Sequence, residues 1–362
     1  MRRIFLSIFL IVGMSCSLTY AGVPKSRNLD ASTSLSINPE RSRRVEFDYE
    51  VEVKNIPKGA SDVNIWIPFL PQTDYQVIED ITIEPQGATV TSDKIYHNKI
   101  LYFFLRSPKD SSVKVKMLYK IKRFEYSKNS EKLLAKNSLR HNREDLTKYL
   151  KSNHLVTMSP KVKKIAATVT KGKRTALEKA RAIYDYVFEN VSYDKSIPGW
   201  GNGDTERVCL IKTGNCTDFH SLFISLARAS GIPAKFVMGI PIAQDKTEGE
   251  IKGYHCWAEF YDRKLGWVPV DISEAWKDKT KREYYFGTIG DDRIELTQGR
   301  DIILEPPQKG EPLNYFFYPY VEINGKSYTN VEFSFKFKEQ SKEGGTTAQR
   351  TLSYDSIQKI NL

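Results

Sequence analysis

Cysteine is scarce in this chain. Four occur in 362 residues, and one of them, Cys16, lies in the N-terminal apolar stretch. So few cysteines exclude a disulfide-built scaffold. Histidine is equally thin, at five. No C-x-x-C pair accompanies it, so the usual spacing of a structural zinc site is missing. The N-terminal apolar run, Ile4 to Val12, is too short to cross a bilayer comfortably. Glycines cluster at Gly199, Gly201 and Gly203, but no lysine-serine follows and no strand leads in, so this is not a phosphate loop. There is no internal repeat and no nucleic-acid signature.

What remains is a globular composition, 40% apolar and 27% charged, on a chain long enough for two cores. The net charge of +11 is spread over many lysines. It reads as solubility charge, with attraction to an anionic envelope surface as the functional alternative. Residues 1–21 read as a secretory signal: Arg2 and Arg3, the apolar run, then Thr19-Tyr20-Ala21 as a small-residue cleavage site. Cys16 as a lipid anchor is disfavoured, because Gly13 stands where an aliphatic residue is expected. Cleavage leaves Cys209, Cys216 and Cys256. In an oxidising compartment an odd count leaves at least one thiol free within a monomer, which favours a working thiol.

Residues 22–42, rich in Ser, Asn, Pro and Thr, read as a linker. Residues 43–126 carry repeated short strand patterns. The clearest is Val45, Phe47, Tyr49, Val51 and Val53, alternating with charged residues. They predict a small β-sandwich-like domain with Trp66 and Phe104 as core aromatics. Residues 127–160 are a polar connector with a helix near Arg143–Leu150 and with His141 and His154 in solvent. A second domain, 161–338, opens with a helix over Thr175–Val191. The glycine cluster is a flexible loop or a loop at a site mouth, with Trp200 as its wall. Strands follow at Ala234–Ile240, Tyr254–Tyr261 and Trp267–Asp271. Asn314–Ile323 and Val331–Phe337 are expected to complete this domain's sheet, and 339–362 is a mobile tail. The fold class is therefore α+β.

The chemistry centres on Thr213-Gly214-Asn215-Cys216-Thr217-Asp218-Phe219-His220. A periodic helix starts here, with Phe219, Leu222, Phe223, Leu226 and Ala227 on one face, and stops at Gly231 and Pro233. Cys216 thus sits in the first turn, where free N–H groups and the helix dipole favour a thiolate. Asp218 adds favourable first-turn charge. A three-residue loop, Asp262-Arg263-Lys264, would place His255 directly opposite Asp271 on one face of the following hairpin. The carboxylate can then fix the imidazole tautomer and leave its other nitrogen to the thiol. This is the thiol form of a nucleophile–base–orienter triad. His220 lies on the cysteine's own helix and points along it, so His255 is preferred as base, with His220 supporting the pair from behind. A zinc set of Cys216, His220 and His255 is disfavoured by spacing. By alternation Cys256 turns away from His255 into the core, Trp257 shares the His255 face and lines the cleft, and Glu259 faces away from the site.

Three motifs, Gly214-Asn215-Cys216-Thr217-Asp218-Phe219-His220, His255-Cys256-Trp257-Ala258-Glu259 and Trp267-Val268-Pro269-Val270-Asp271, together resemble the transglutaminase-like superfamily, in particular its exported bacterial members. The resemblance is firm from about Thr175 to Ala275. It implies a papain-like core, a helix bearing the cysteine packed on an antiparallel sheet. It further implies Cys216 as nucleophile, His255 as base and Asp271 as orienter. The family's chemistry is acyl transfer through a thioester, on a peptide, protein or cell-wall amide, with no cofactor and no metal. The Cys216 N–H is the expected oxyanion donor, and Tyr193 or Trp200 could supply a second. The location expected is periplasmic or secreted. The competing reading is a non-catalytic binding module of the envelope that keeps the fold.

Overall fold

In the computed structural model the described residues are 36–127 and 145–340. The leader, most of the linker, His141 and the tail beyond 340 lie outside them. The elements in chain order are β1 (Ser36–Val53), β2 (Asp62–Phe69), β3 (Gln76–Glu84), β4 (Thr89–Ser92), β5 (Lys99–Arg106) and β6 (Val113–Ser127). Next come α1 (Pro160–Val169), α2 (Ala176–Asn190), β7 (Ser192–Tyr193), α3 (Thr205–Ile211), β8 (Thr213–Gly214) and α4 (Cys216–Ala229). The chain continues with β9 (Ala234–Pro241), β10 (Glu248–Ile251), β11 (His255–Asp262), β12 (Gly266–Val270) and α5 (Ile272–Lys277). Last are β13 (Thr288–Ile289), β14 (Arg293–Gln298), β15 (Tyr320–Ile323), β16 (Lys326–Ser327) and β17 (Val331–Glu339). The helix expected near Arg143–Leu150 is a 3-10 turn over Leu146–Leu150, and His154 is exposed.

Two sheets build the β-rich part. One runs β10-β17-β1-β6-β13, with β3 also on β6; the other runs β16-β15-β2-β5-β4. The alternation in β1 does what period two dictates: Val45, Phe47, Tyr49, Val51 and Val53 are all fully buried. Their polar neighbours face out and pair across the sheet, as Lys116 Nζ does with Asp48 at 3.1 Å. Phe104 corrects its expectation. Phe103 takes the core-facing position opposite Ile65, which turns Phe104 outward at 46% exposure. Trp66 is buried, and its indole N–H donates to the Pro306 carbonyl.

The last strands also differ from expectation. β17 pairs with β1, Phe47 opposite Phe337, and β15 pairs with β2. They complete the N-terminal sheets rather than the one beside Cys216. β1 itself begins at Ser36, inside the stretch read as linker.

The third sheet, β12-β11-β9-β14, is antiparallel throughout. Helix α4 packs on one face, with Phe223 against Phe260 of β11. The opposite face carries Trp257, which joins Tyr126 and Ile289 in a separate cluster. Helix α4 is buried almost all round, from Cys216 to Arg228. A helix enclosed on every side holds its first turn rigidly, because its polar groups must be satisfied by protein.

Candidate active site

Asn215 caps α4. Its side-chain oxygen accepts the Thr217 N–H, and its carbonyl accepts from Asp218 and Phe219 N–H. The Asp218 carboxylate reaches back to the Asn215 N–H at 2.9 Å, closing a capping box. It also accepts the Gly201 and Gly203 N–H groups at 2.7 and 3.2 Å. Gly214 is required here, because a Cβ would overlap the Asp218 carboxylate. Asp218 was expected as a helix-start charge; it also fastens the glycine loop to the helix. Buried Arg300 holds the same loop, donating to the Asn202 carbonyl and to Ser221 Oγ, both at 2.7 Å. These bonds leave the Cys216 N–H with no bonded acceptor among the described residues.

The structure brings Cys216, His255 and Asp271 together. His255 Nε2 lies 2.6 Å from Asp271 Oδ2, and the imidazole is near enough to the Cys216 thiol for its charge to act on it. With Nε2 engaged, Nδ1 is the nitrogen left to the sulfur. The hairpin register differs from expectation. Asp262 pairs with Gly266, so the three-residue loop is Arg263–Leu265 and Ala258 pairs with Val270. Each strand extends by one residue, so His255 is diagonal to Asp271 rather than opposite. The parity of the face survives, and so does the contact. Asp271 lies just past β12 and caps α5, its Oδ1 accepting the Glu274 N–H and the Ser273 hydroxyl.

Charges follow from this packing. Burial works against a charged His255, but the Asp271 carboxylate outweighs it and holds the imidazole up at about 9. The Cys216 thiol is pulled well below the usual thiol range. The neighbouring Cys256 thiol is the largest cause; burial opposes it, and the His255 imidazole adds to it. His220 is fully buried, and burial pushes its pKa down, so it is neutral. Its Nε2 accepts the Ile272 N–H at 3.0 Å. It therefore pins α4 to the turn that carries Asp271. Among the described residues no group of three His, Cys, Asp or Glu has metal-holding geometry.

A cleft of about 440 Å³ opens beside His255, lined among others by Tyr193, Tyr254, Glu274, Lys277, Tyr285 and Arg293. Lys277 Nζ sits 2.7 Å from Glu274 Oε1 and 4.4 Å over the Tyr193 ring. Arg293 is buried, bonded to Asp292 and paired with Glu274.

Residues 163–272 match the family model described as the transglutaminase-like superfamily. This segment is similar to a transglutaminase-like domain. It holds Cys216, His255 and Asp271, and the flanking β-rich stretches lie outside it. The chain is 28% identical over 323 residues to an uncharacterized protein of Haemophilus influenzae, covering 78% of this chain and 87% of that one. It is also 28% identical over 157 residues to the uncharacterized protein YebA of Bacillus subtilis. That match covers 39% of this chain and 21% of YebA. Among solved structures, one described as a candidate cysteine protease from Cytophaga hutchinsonii superposes with a TM-score of 0.55 at 14% identity. It covers 84% of this chain and all of that one. At that identity the likeness is one of fold.

Of the other residues anticipated around the transglutaminase-like site, Tyr193 lines the cleft. Trp200 does not line it; it is 39% exposed, with Lys195 Nζ 5.0 Å from its ring. Trp257 is fully buried and does not line the cleft. Its face of β11 meets Tyr126 and Ile289, and only the strand's first residue reaches the site. Glu259 lies away from the site, but by distance along the strand rather than by alternation: it shares the Trp257 face and accepts from the Tyr126 hydroxyl. Cys209, Cys216 and Cys256 are free thiols. Cys256 turns away from His255 as expected, and that face is covered by α4, which sets it against Thr217 and His220. Tyr254, Glu274, Lys277 and Arg293 were missed. Tyr254 precedes His255 in sequence, and Glu274 and Lys277 follow Asp271 at helical spacing; those are the signals that could have found them.

Proposed function

We propose that the protein is an exported cysteine enzyme that cleaves or transfers acyl groups at amide bonds. The observation that carries this is the grouping of Cys216, at the start of a buried helix, with the hydrogen-bonded pair His255–Asp271 beside a cleft. The Cys216 thiolate attacks the carbonyl carbon of a peptide or glutamine-type carboxamide. The oxyanion forms against the Cys216 N–H, where the helix dipole favours it. Tyr254 is the second donor. Its phenol oxygen receives Asn215 Nδ2 at 3.0 Å and lies 3.1 Å from Thr217 Oγ1. With Thr217 also donating, the phenol hydrogen is free to turn into the cleft.

The His255 imidazolium then protonates the leaving amine or ammonia, and a thioester remains on Cys216. Water or an amine attacks the thioester, gives its proton to His255, and Cys216 leaves as thiolate. Asp271 keeps the Nε2 proton throughout. The substrate is a peptide, protein or cell-wall amide of the envelope, and the leader read at 1–21 supplies the route out. No helix among the described residues is long and apolar enough to cross a membrane.

Alkylation against pH tests the activated thiol. Cys216 should react at pH 6 to 7 far faster than a model thiol of pKa about 8.5. Equal rates would overturn the reading. Cys216→Ala should abolish amide turnover; a binding module would lose nothing.

A further inference from the structure

The glycine loop carries two exposed apolar side chains that the mechanism above does not use, Ile197 and Trp200. Its backbone is nonetheless fixed. β7 and β8 pair in parallel, Tyr193 beside Gly214, and the Asp194 N–H donates to the Gly214 carbonyl at 3.1 Å. One strand of that pair runs on into Cys216, the other into residues 195–204. Arg207 donates to the carbonyls of Ile197, Pro198 and Thr213 at 2.9, 3.1 and 3.1 Å. Asp218 accepts the Gly201 and Gly203 N–H groups, and a Cβ at Gly201 would stand 3.6 Å from the Tyr254 hydroxyl. The loop is pinned through its main chain beside the first turn of α4, while Lys195, Ile197 and Trp200 stay exposed. A recognition loop on a rigid scaffold is built in this way.

Cations and rings alternate along this surface. Lys277 Nζ lies 4.4 Å over the Tyr193 ring. Lys195 Nζ lies 5.8 Å from the same ring and 5.0 Å from that of Trp200. Tyr193 and Lys277 line the cleft beside His255, so the series Lys277–Tyr193–Lys195–Trp200 starts inside the cleft and ends on the exposed loop. The two lysines differ. Lys277 is neutralised by Glu274 at 2.7 Å. Lys195 has no carboxylate within ion-pair distance among the described residues. The adjacent Asp194 is taken by the Ser196 N–H and hydroxyl at 2.8 and 2.9 Å. Ring faces orient an ammonium without cancelling its charge. Lys195 is therefore a positioned, uncompensated cation with apolar surface on both sides.

We propose that the Lys195–Trp200 platform is a substrate subsite that takes an acidic residue of the peptide arm next to the scissile amide. Lys195 receives the carboxylate, and Trp200 and Ile197 pack on the arm's apolar groups. This rests on reading Cys216 as the nucleophile acting on an amide. It narrows the substrate class to peptides with a carboxylate within a few residues of the bond attacked. Attachment to an anionic lipid surface is the competitor. Two apolar side chains are a small anchor for that purpose, and the continuity with the cleft speaks for the substrate.

The test is alkylation of Cys216 in the full chain by tripeptide reagents at neutral pH and low salt. Chloromethyl ketones extend to the acyl side and bromoacetyl peptides to the leaving-group side. In each the Cys216 sulfur displaces the halide and a thioether forms. Every reagent is made with glutamate or glutamine at its first, second or third residue, and iodoacetamide is the reference. Wild type should react about fivefold faster with glutamate than with glutamine at one position of one series, the size of an exposed ion pair. The preference should shrink in high salt. It should vanish in Lys195→Met, reverse in Lys195→Glu and return in Lys195→Arg, which stacks on the same rings. Trp200→Ala should slow both reagents of the preferred pair. Iodoacetamide should label every variant at the wild-type rate, since neither changed residue lines the cleft. No glutamate preference at any position, or one that survives Lys195→Met, would overturn the proposal. So would wild type that sediments with phosphatidylglycerol vesicles and shows no preference. A Cys216 that iodoacetamide labels normally but that shows no preference overturns the subsite alone. A Cys216 that iodoacetamide fails to label overturns the proposed function and the subsite with it.

Discussion

The open face of β1 and β6 and the start of α4 use the same kinds of side chain to different ends. On the sheet, Lys114 meets Glu50 at 2.7 Å and Lys116 meets Asp48 at 3.1 Å, with the lysines 55% and 43% exposed. At the helix, Asp218, His220 and Asp271 are all fully buried. Asp218 and His220 accept backbone N–H groups from other segments, and Asp271 is bonded to His255 of the neighbouring strand. Water can replace any partner on the sheet, and screening makes each pair weak. Nothing can replace the partners at the helix. Polar groups there are costly to orphan, and this fixes the thiol, the imidazole and the carboxylate in one geometry.

Substitutions should separate the two regions. Cys216→Ala should remove acyl-enzyme formation outright. Asp271→Ala should lower kcat by on the order of 10³–10⁴, as loss of the orienter frees the imidazole. Tyr254→Phe should lower kcat by roughly 10²-fold with KM little changed, the cost of one oxyanion donor. The same variant should leave Cys216 alkylation at wild-type rates. Equal losses in kcat and alkylation would move Tyr254 from donor to scaffold.

In the proposed mechanism the working form pairs Cys216 thiolate with His255 imidazolium, so the pH profile has a definite shape. Activity rises through the lowered thiol pKa and falls as pH passes about 9, where His255 loses its proton. His255 binds its proton more tightly in the fold than its free value of about 6.5. Its stabilising contribution is therefore complete below that value and lost as pH rises through about 9. Thermal midpoints measured from pH 6 to 10 should decline over that window in wild type. The decline should be smaller in His255→Phe.

Asp218→Ala should destabilise by about 3 kcal/mol in urea unfolding, because three backbone N–H groups lose their acceptor. Lys116→Ala on the open sheet face should leave the unfolding midpoint unmoved. A large loss there would erase the contrast between the regions.

The same contrast explains what was legible from sequence. Period two in Val45 to Val53 marks a half-buried strand whatever its partner, so β1 could be read. Its partner β17 could not, because pairing across almost 290 residues leaves no local period. The Cys216 helix was legible from its stop signals and its apolar face. The His255–Asp271 contact survived a misplaced loop because face parity depends only on even shifts. Trp257 failed for the complementary reason. Sharing a face with His255 means lining the cleft only at the strand's end, and two residues on, that face is already packed against Tyr126 and Ile289. Tyr254 carries no signature beyond its place before His255. Its bonds to Asn215 and Thr217 come from α4 lying across β11, a tertiary fact.

The most direct measurement is acid-quenched mass mapping of the Cys216 peptide after the protein is mixed with envelope extract. The account predicts an acyl mass on Cys216 that hydroxylamine removes, present in wild type and absent in Cys216→Ala. A Cys216 peptide that stays unmodified in wild type, under conditions where iodoacetamide labels it readily, would contradict the account.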